Sequence, residues 1–175
     1  ATANLNVEAT ELEQANSSTT VTESTYAAGP NLVSNPNFSK LDSQGYIVDW
    51  VKEAGPYTLK ILPSQGYLAL DNATYQGYRK RVESTKEVTL TGGVTYEVSV
   101  TSKGTSFLSP FYDLELNDYA HGINFKHWIY NSTEGFKERK TNFTPGVTGK
   151  YNISFTNDTS AAPSVYVSNV SIAAK

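Results

Sequence analysis

The densest run of side chains able to recognise or transform a ligand is Tyr119-Ala120-His121-Gly122-Ile123-Asn124-Phe125-Lys126-His127-Trp128-Ile129-Tyr130. Read as a strand, it places His121, Ile123, Phe125, His127 and Ile129 on one face and Asn124, Lys126, Trp128 and Tyr130 on the other. The second set joins flat rings to hydrogen-bonding groups. A sugar needs that combination, because rings stack on its C–H faces while polar groups bond its hydroxyls. The plainer reading, and the commoner fate of strand aromatics, puts Trp128 and Tyr130 in a core. Asp71-Asn72-Ala73-Thr74-Tyr75-Gln76-Gly77-Tyr78-Arg79 is a second candidate, a loop offering Tyr75, Tyr78 and Arg79 beside a flexible glycine.

Catalysis finds little support. His121 and His127, six apart, could share a strand face and hold a metal with Asp118 or Glu115, but two ordinary histidines in an aromatic strand is the simpler account. Asp113 and Glu115 share a face as neighbours rather than facing each other across a cleft, and Asp49 has no evident partner. Neither a phosphate-cradling glycine loop nor a nucleophile elbow is present. The absence of cysteine excludes thiolate chemistry, disulfides and cysteine-ligated zinc. The expectation is a protein that is not an enzyme and carries no cofactor or metal.

The elements that must position these residues are strands. Tyr57, Leu59 and Ile61 alternate with Thr58 and Lys60; Tyr96, Val98 and Val100 with Glu97, Ser99 and Thr101; Tyr151, Ile153 and Phe155 with Asn152, Ser154 and Thr156. Turn signals separate them at Gly55-Pro56, Pro63-Ser64-Gln65-Gly66, Gly92-Gly93, Ser109-Pro110, Asn131 to Gly135 and Pro145-Gly146. No stretch sustains helical periodicity. Short strands with one apolar face predict an all-β antiparallel sandwich.

Residues 1–29 read differently. Ala3, Leu5, Val7 and Ala9 alternate with Asn4, Asn6, Glu8 and Thr10, and a hydroxyl-rich spacer runs from there to Gly29. This arm, a strand over residues 3–10 plus a linker, carries four glutamates and no base, and residues 30–175 form the sandwich domain. Near-neutral charge, −3 overall, argues against nucleic acid. No apolar run reaches transmembrane length.

Asn31-Leu32-Val33-Ser34-Asn35-Pro36-Asn37-Phe38 with Asp49-Trp50, Val88 to Val100, Phe143 to Phe155 and Val165 to Ile172 resemble the opening, central and closing strands of jelly-roll carbohydrate-binding modules and their galactose-binding-like relatives. The resemblance covers residues 31–173 and leaves the arm outside. It implies a jelly roll with Trp50 in the core. Many members tie the opening and closing strands with calcium, but the acidic ligands fall here at Ser39 and Ser168-Asn169, so no such site is expected.

Two functions fit. In the first, an extracellular structural or adhesive subunit donates Ala3, Leu5, Val7 and Ala9 as a strand to the next copy, building a homopolymeric filament. In the alternative, a carbohydrate-binding module engages a glycan through Trp128, Tyr130, Asn124, Tyr75, Tyr78 and Arg79. Asn-X-Ser/Thr sequons at Asn16, Asn37, Asn72, Asn131, Asn142, Asn152, Asn157 and Asn169 predict a secreted, cell-surface glycoprotein, and alternation turns Asn152 outward. The opening Ala1-Thr2-Ala3 suits a chain after signal-peptide removal.

Overall fold

The computed structural model describes residues 29–54, 57–70, 80–104, 111–130, 133–157 and 165–175. The arm residues Ala3, Leu5, Val7 and Ala9, the loop residues Tyr75, Tyr78 and Arg79, the sequons at Asn16, Asn72 and Asn131, and the side chain of Tyr130 all lie outside them.

The strands are β1 Trp50–Ala54, β2 Tyr57–Lys60, β3 Leu68–Leu70, β4 Lys80–Ser84, β5 Val88–Leu90, β6 Tyr96–Gly104, β7 Phe111–Asp118, β8 Ile123–Tyr130, β9 Lys137–Phe143, β10 Gly149–Asn157 and β11 Val165–Ala174. They form two antiparallel sheets. One runs β2-β1-β4-β10-β7-β8 with β5 on β10; the other runs β3-β11-β6-β9. The all-β sandwich expected from the alternation is therefore the fold.

Inward-facing residues fill the space between the sheets. Tyr112, Leu114 and Leu116 of β7, Tyr151, Ile153 and Phe155 of β10, and Val165, Val167, Val170 and Ile172 of β11 are buried together. Trp50 sits within this core, edge-on to Phe38 at 5.1 Å and stacked on Phe155 at 5.8 Å. Its indole N–H donates to the Ser34 and Asn35 carbonyls.

The opening segment is tied to the closing strand by an amide. Asn31 Nδ2 donates to the Val170 carbonyl and Asn31 Oδ1 accepts from the Ile172 amide, both at 3.1 Å. Asn35 works likewise inside the opening loop, bonding the backbone of Lys40 and the Val48 carbonyl. At the positions where the resemblance would put calcium ligands, Ser39 Oγ donates to Asn37 Oδ1 and Ser168 Oγ donates to the Thr101 carbonyl. These short, internally satisfied hydroxyls offer no carboxylate and do not fit a calcium ion.

The turn between β5 and β6 requires its glycine. A Cβ on Gly92 would approach the Val147 and Thr148 backbone to 2.9 Å.

Asn31→Ala should therefore destabilise the domain, because a partly buried carbonyl and amide lose their partner at about 1–3 kcal/mol. Calorimetry is expected to show the melting temperature lowered by several degrees. An unchanged melting temperature would deny the amide this role.

Candidate functional site

The outer face of the larger sheet is where polar chemistry collects. Residues paired across neighbouring strands lie side by side on one face, so the registers define rows. One row is Thr58-Glu53-Arg81-Thr156-Asp113-Trp128 and the next is Lys60-Val51-Glu83-Ser154-Glu115-Lys126. A shorter third row is Asn152-Asn117-Asn124. Charged and amide side chains that lie far apart in sequence thus share one surface.

Arg81 organises it. Its guanidinium contacts Glu53 at 3.5 Å, Glu83 at 3.3 Å and Glu115 at 3.4 Å. Because β10 lies between β4 and β7, the bond to Glu115 passes over β10. The small Ser154 and Thr156 side chains are accordingly buried although they face outward. Among the described residues Thr156 Oγ1 has no hydrogen-bond partner there. Lys126 faces Asp113 at 4.0 Å and Glu115 at 3.8 Å, and Asn124 Nδ2 donates to Asn117 Oδ1 at 2.6 Å.

Tyr119 crosses the same face from the β7–β8 turn. Its hydroxyl donates to Glu83 at 2.6 Å and accepts from Arg81 at 2.8 Å, while 62% of the residue remains exposed. Partial burial and the bond to Glu83 push this hydroxyl up to about 12. Burial alone would raise Glu83, but hydrogen bonds to Glu53 and Tyr119 and the Arg81 charge hold it below the ordinary glutamate value. Burial likewise opposes the Arg81 charge, and its anionic neighbours outweigh it and raise the guanidinium.

Trp128 is 64% exposed at the end of the first row, with Asn124 and Lys126 on its face. Two aromatic side chains, Trp128 and Tyr119, thus stand beside a floor of fixed donors and acceptors.

The chain matches no family model and no curated protein sequence. Its backbone is similar to a solved carbohydrate-binding module of family 4, at 15% identity and a TM-score of 0.57 over 81% of this chain and 99% of that one. It is also similar to the second N-terminal cellulose-binding domain of β-1,4-glucanase C from Cellulomonas fimi, at 17% identity and a TM-score of 0.58 over 85% and 96%. A third likeness is to modules of endo-1,4-β-D-xylanase 10B from Clostridium thermocellum complexed with xylohexaose, at 17% identity and a TM-score of 0.50 over 85% and 29%. The fold is that of carbohydrate-binding modules.

In this sandwich the core reading of Trp128 is corrected. Phe125 and Ile129 face inward, so the residues between them face out, and Trp128 with them. The strand β8 begins only at Ile123, which leaves His121 in the turn, apart from His127. Among the described residues no three His, Asp or Glu side chains gather as metal ligands. Asp49 accepts from Ser34 Oγ at 2.5 Å.

Asn152 lies on the outer face as the alternation predicts, but its amide nitrogen donates to the Ser84 carbonyl at 2.9 Å. That bond helps bridge the gap where the chain leaves β4 and returns to β10 as β5. Asn157 is buried, Asn169 half-buried, and Asn37 and Asn142 exposed.

Glu83 ties acid stability to this face. A carboxylate held low in the folded state contributes stability above its ordinary value of 4.5, and that stability is lost as the pH falls below it. Urea midpoints measured between neutral and strongly acidic pH should fall less steeply in Glu83→Gln than in wild type. Parallel curves would show that Glu83 carries no such linkage.

Proposed function

We propose that this protein is a non-catalytic, extracellular carbohydrate-binding module that holds a polysaccharide or cell-surface glycan on the outer face of the larger sheet. The observation that carries the reading is the exposed pair Trp128 and Tyr119 standing over the ordered polar rows. Sugar rings stack on the aromatics. Sugar hydroxyls, each both donor and acceptor, meet the Asp113 and Glu83 carboxylates, the Asn124 amide and the Lys126 ammonium, which the buried Glu115 and Asn117 hold from beneath. Since these groups are already held by one another, little ordering is lost on binding.

The similar sandwiches point the same way, one named as cellulose-binding and one complexed with xylohexaose. They give no support to a filament built by strand donation, and the arm residues proposed for it lie outside the described residues. Among the described residues, Asn37 and Asn142 are the exposed sequons, and we propose them as glycan acceptors.

Titrating wild type with soluble β-1,4-glucan and xylan by calorimetry should reveal binding to at least one. Trp128→Ala and Tyr119→Ala should each weaken it about tenfold, which is about 1.4 kcal/mol. The melting temperature of Trp128→Ala should stay unchanged, since that ring is largely exposed. Binding by the double variant at wild-type affinity would overturn the reading.

A further inference from the structure

Beyond Tyr119, away from Trp128, the rows end in a pocket. It is a depression of about 370 Å³, half open to solvent, lined by Glu87, Thr89, Tyr119, His121, Thr148 and Lys150, among others. Such a volume falls within the range of about 300–1,000 Å³ typical of small-molecule sites rather than flat platforms. Thr89 pairs with Lys150 across β5 and β10. Val88, Leu90 and Tyr151 are buried in the core, so alternation places Thr89 and Lys150 on the same outer face as the rows.

The wall of this pocket is built firmly. Asp118 is 1% exposed, its Oδ2 lies 2.5 Å from His121 Nδ1, and its Oδ1 accepts from the His121 backbone N–H. The hydrogen bond from His121 lowers the Asp118 carboxyl below its ordinary range, against the opposing effect of burial. Gly149 makes the arrangement possible, because a Cβ there would run into the Asp118 carboxylate. With Nδ1 donating to Asp118, Nε2 is the ring nitrogen left to accept from a ligand hydroxyl. Lys150 supplies a donor, and Glu87 and the threonines supply further polar atoms. Glu87 and Lys150 oppose each other in charge and the Asp118 carboxylate is buried behind His121, so the pocket favours neither sign strongly.

We infer that this pocket is a separate subsite for a single uncharged sugar unit, with Tyr119 forming the partition between it and the polysaccharide face. The inference deepens the sugar-binding reading and rests on it. A glycan that reaches from the rows past Tyr119 gains this extra unit, whereas one confined to the rows does not.

Amide shifts in a nitrogen-labelled sample distinguish the two sites. Glucose, xylose or galactose added alone should shift Thr89, His121, Gly149 and Lys150 and leave the Trp128 indole unmoved. Cello- or xylo-oligosaccharides should shift both groups. Thr89→Tyr, a substitution at an exposed position that fills the pocket, should abolish the monosaccharide shifts while oligosaccharides still move the Trp128 indole. Monosaccharide shifts that are absent, that gather at Trp128, or that survive Thr89→Tyr would overturn the subsite and leave the polysaccharide face standing. Oligosaccharides that never move Trp128 would instead overturn the reading of that face.

Discussion

The outer face depends on one cation reaching across a strand. Arg81 on β4 meets Glu115 on β7 over the top of β10, and also holds Glu53 and Glu83. A carboxylate as buried as Glu115 is costly to keep charged without such a partner. Replacing a buried ionic group with apolar residues is often neutral or stabilising, so the network is poorly explained as a device for stability alone. A sheet face that needed only to be soluble would use small hydroxyls and an exposed lysine, as the smaller sheet does with Ser99, Thr101 and Lys140. The pairing around Arg81 makes better sense as a fixed array of acceptors and donors.

That array is possible because the two faces of one sheet are assigned opposite tasks. Tyr112, Leu114 and Leu116 of β7 seal the core while Asp113, Glu115 and Asn117, one residue out of phase, build the rows. A shift of register by one residue would exchange them. The registers are secured at both ends of the chain: Trp50 locks β1 against Phe38 and Phe155, and Asn31 ties the opening segment to β11.

Period-two alternation made the strands at Tyr96 to Thr101 and Tyr151 to Thr156 legible in the sequence, along with the grouping of Asn124, Lys126 and Trp128. It could not say which of the two faces pointed inward, because the opposite face of β8 also carries a histidine among its apolar residues. Only the packing of Phe125 and Ile129 settles that Trp128 faces out. Arg81 and Glu83 lie in an unremarkable stretch, and Tyr119, although it opens the dense aromatic run, has no role that alternation could reveal. Their meeting follows from the strand order β1-β4-β10-β7-β8, in which spatial neighbours are 36 and 34 residues apart in the pairs Tyr119 with Glu83 and Arg81 with Glu115. The Asp118–His121 pair was visible in the sequence only as spacing, and its meaning depends on Gly149 leaving room for the carboxylate.

The charge pattern also bears on what the face can hold. Both of its central cations already have carboxylate partners: Arg81 has three and Lys126 has two. The four acids Glu53, Glu83, Asp113 and Glu115 surround these two bases, so a carboxylate or sulfate placed at the centre of the face would meet net repulsion. A neutral sugar carries no charge to be repelled, and its hydroxyls donate to acids and accept from amides in the same pose. Selectivity on such a face then comes from where the donors and acceptors stand relative to the rings of Trp128 and Tyr119, and the hydroxyl of Tyr119, held by Glu83 and Arg81, keeps one of those rings in place.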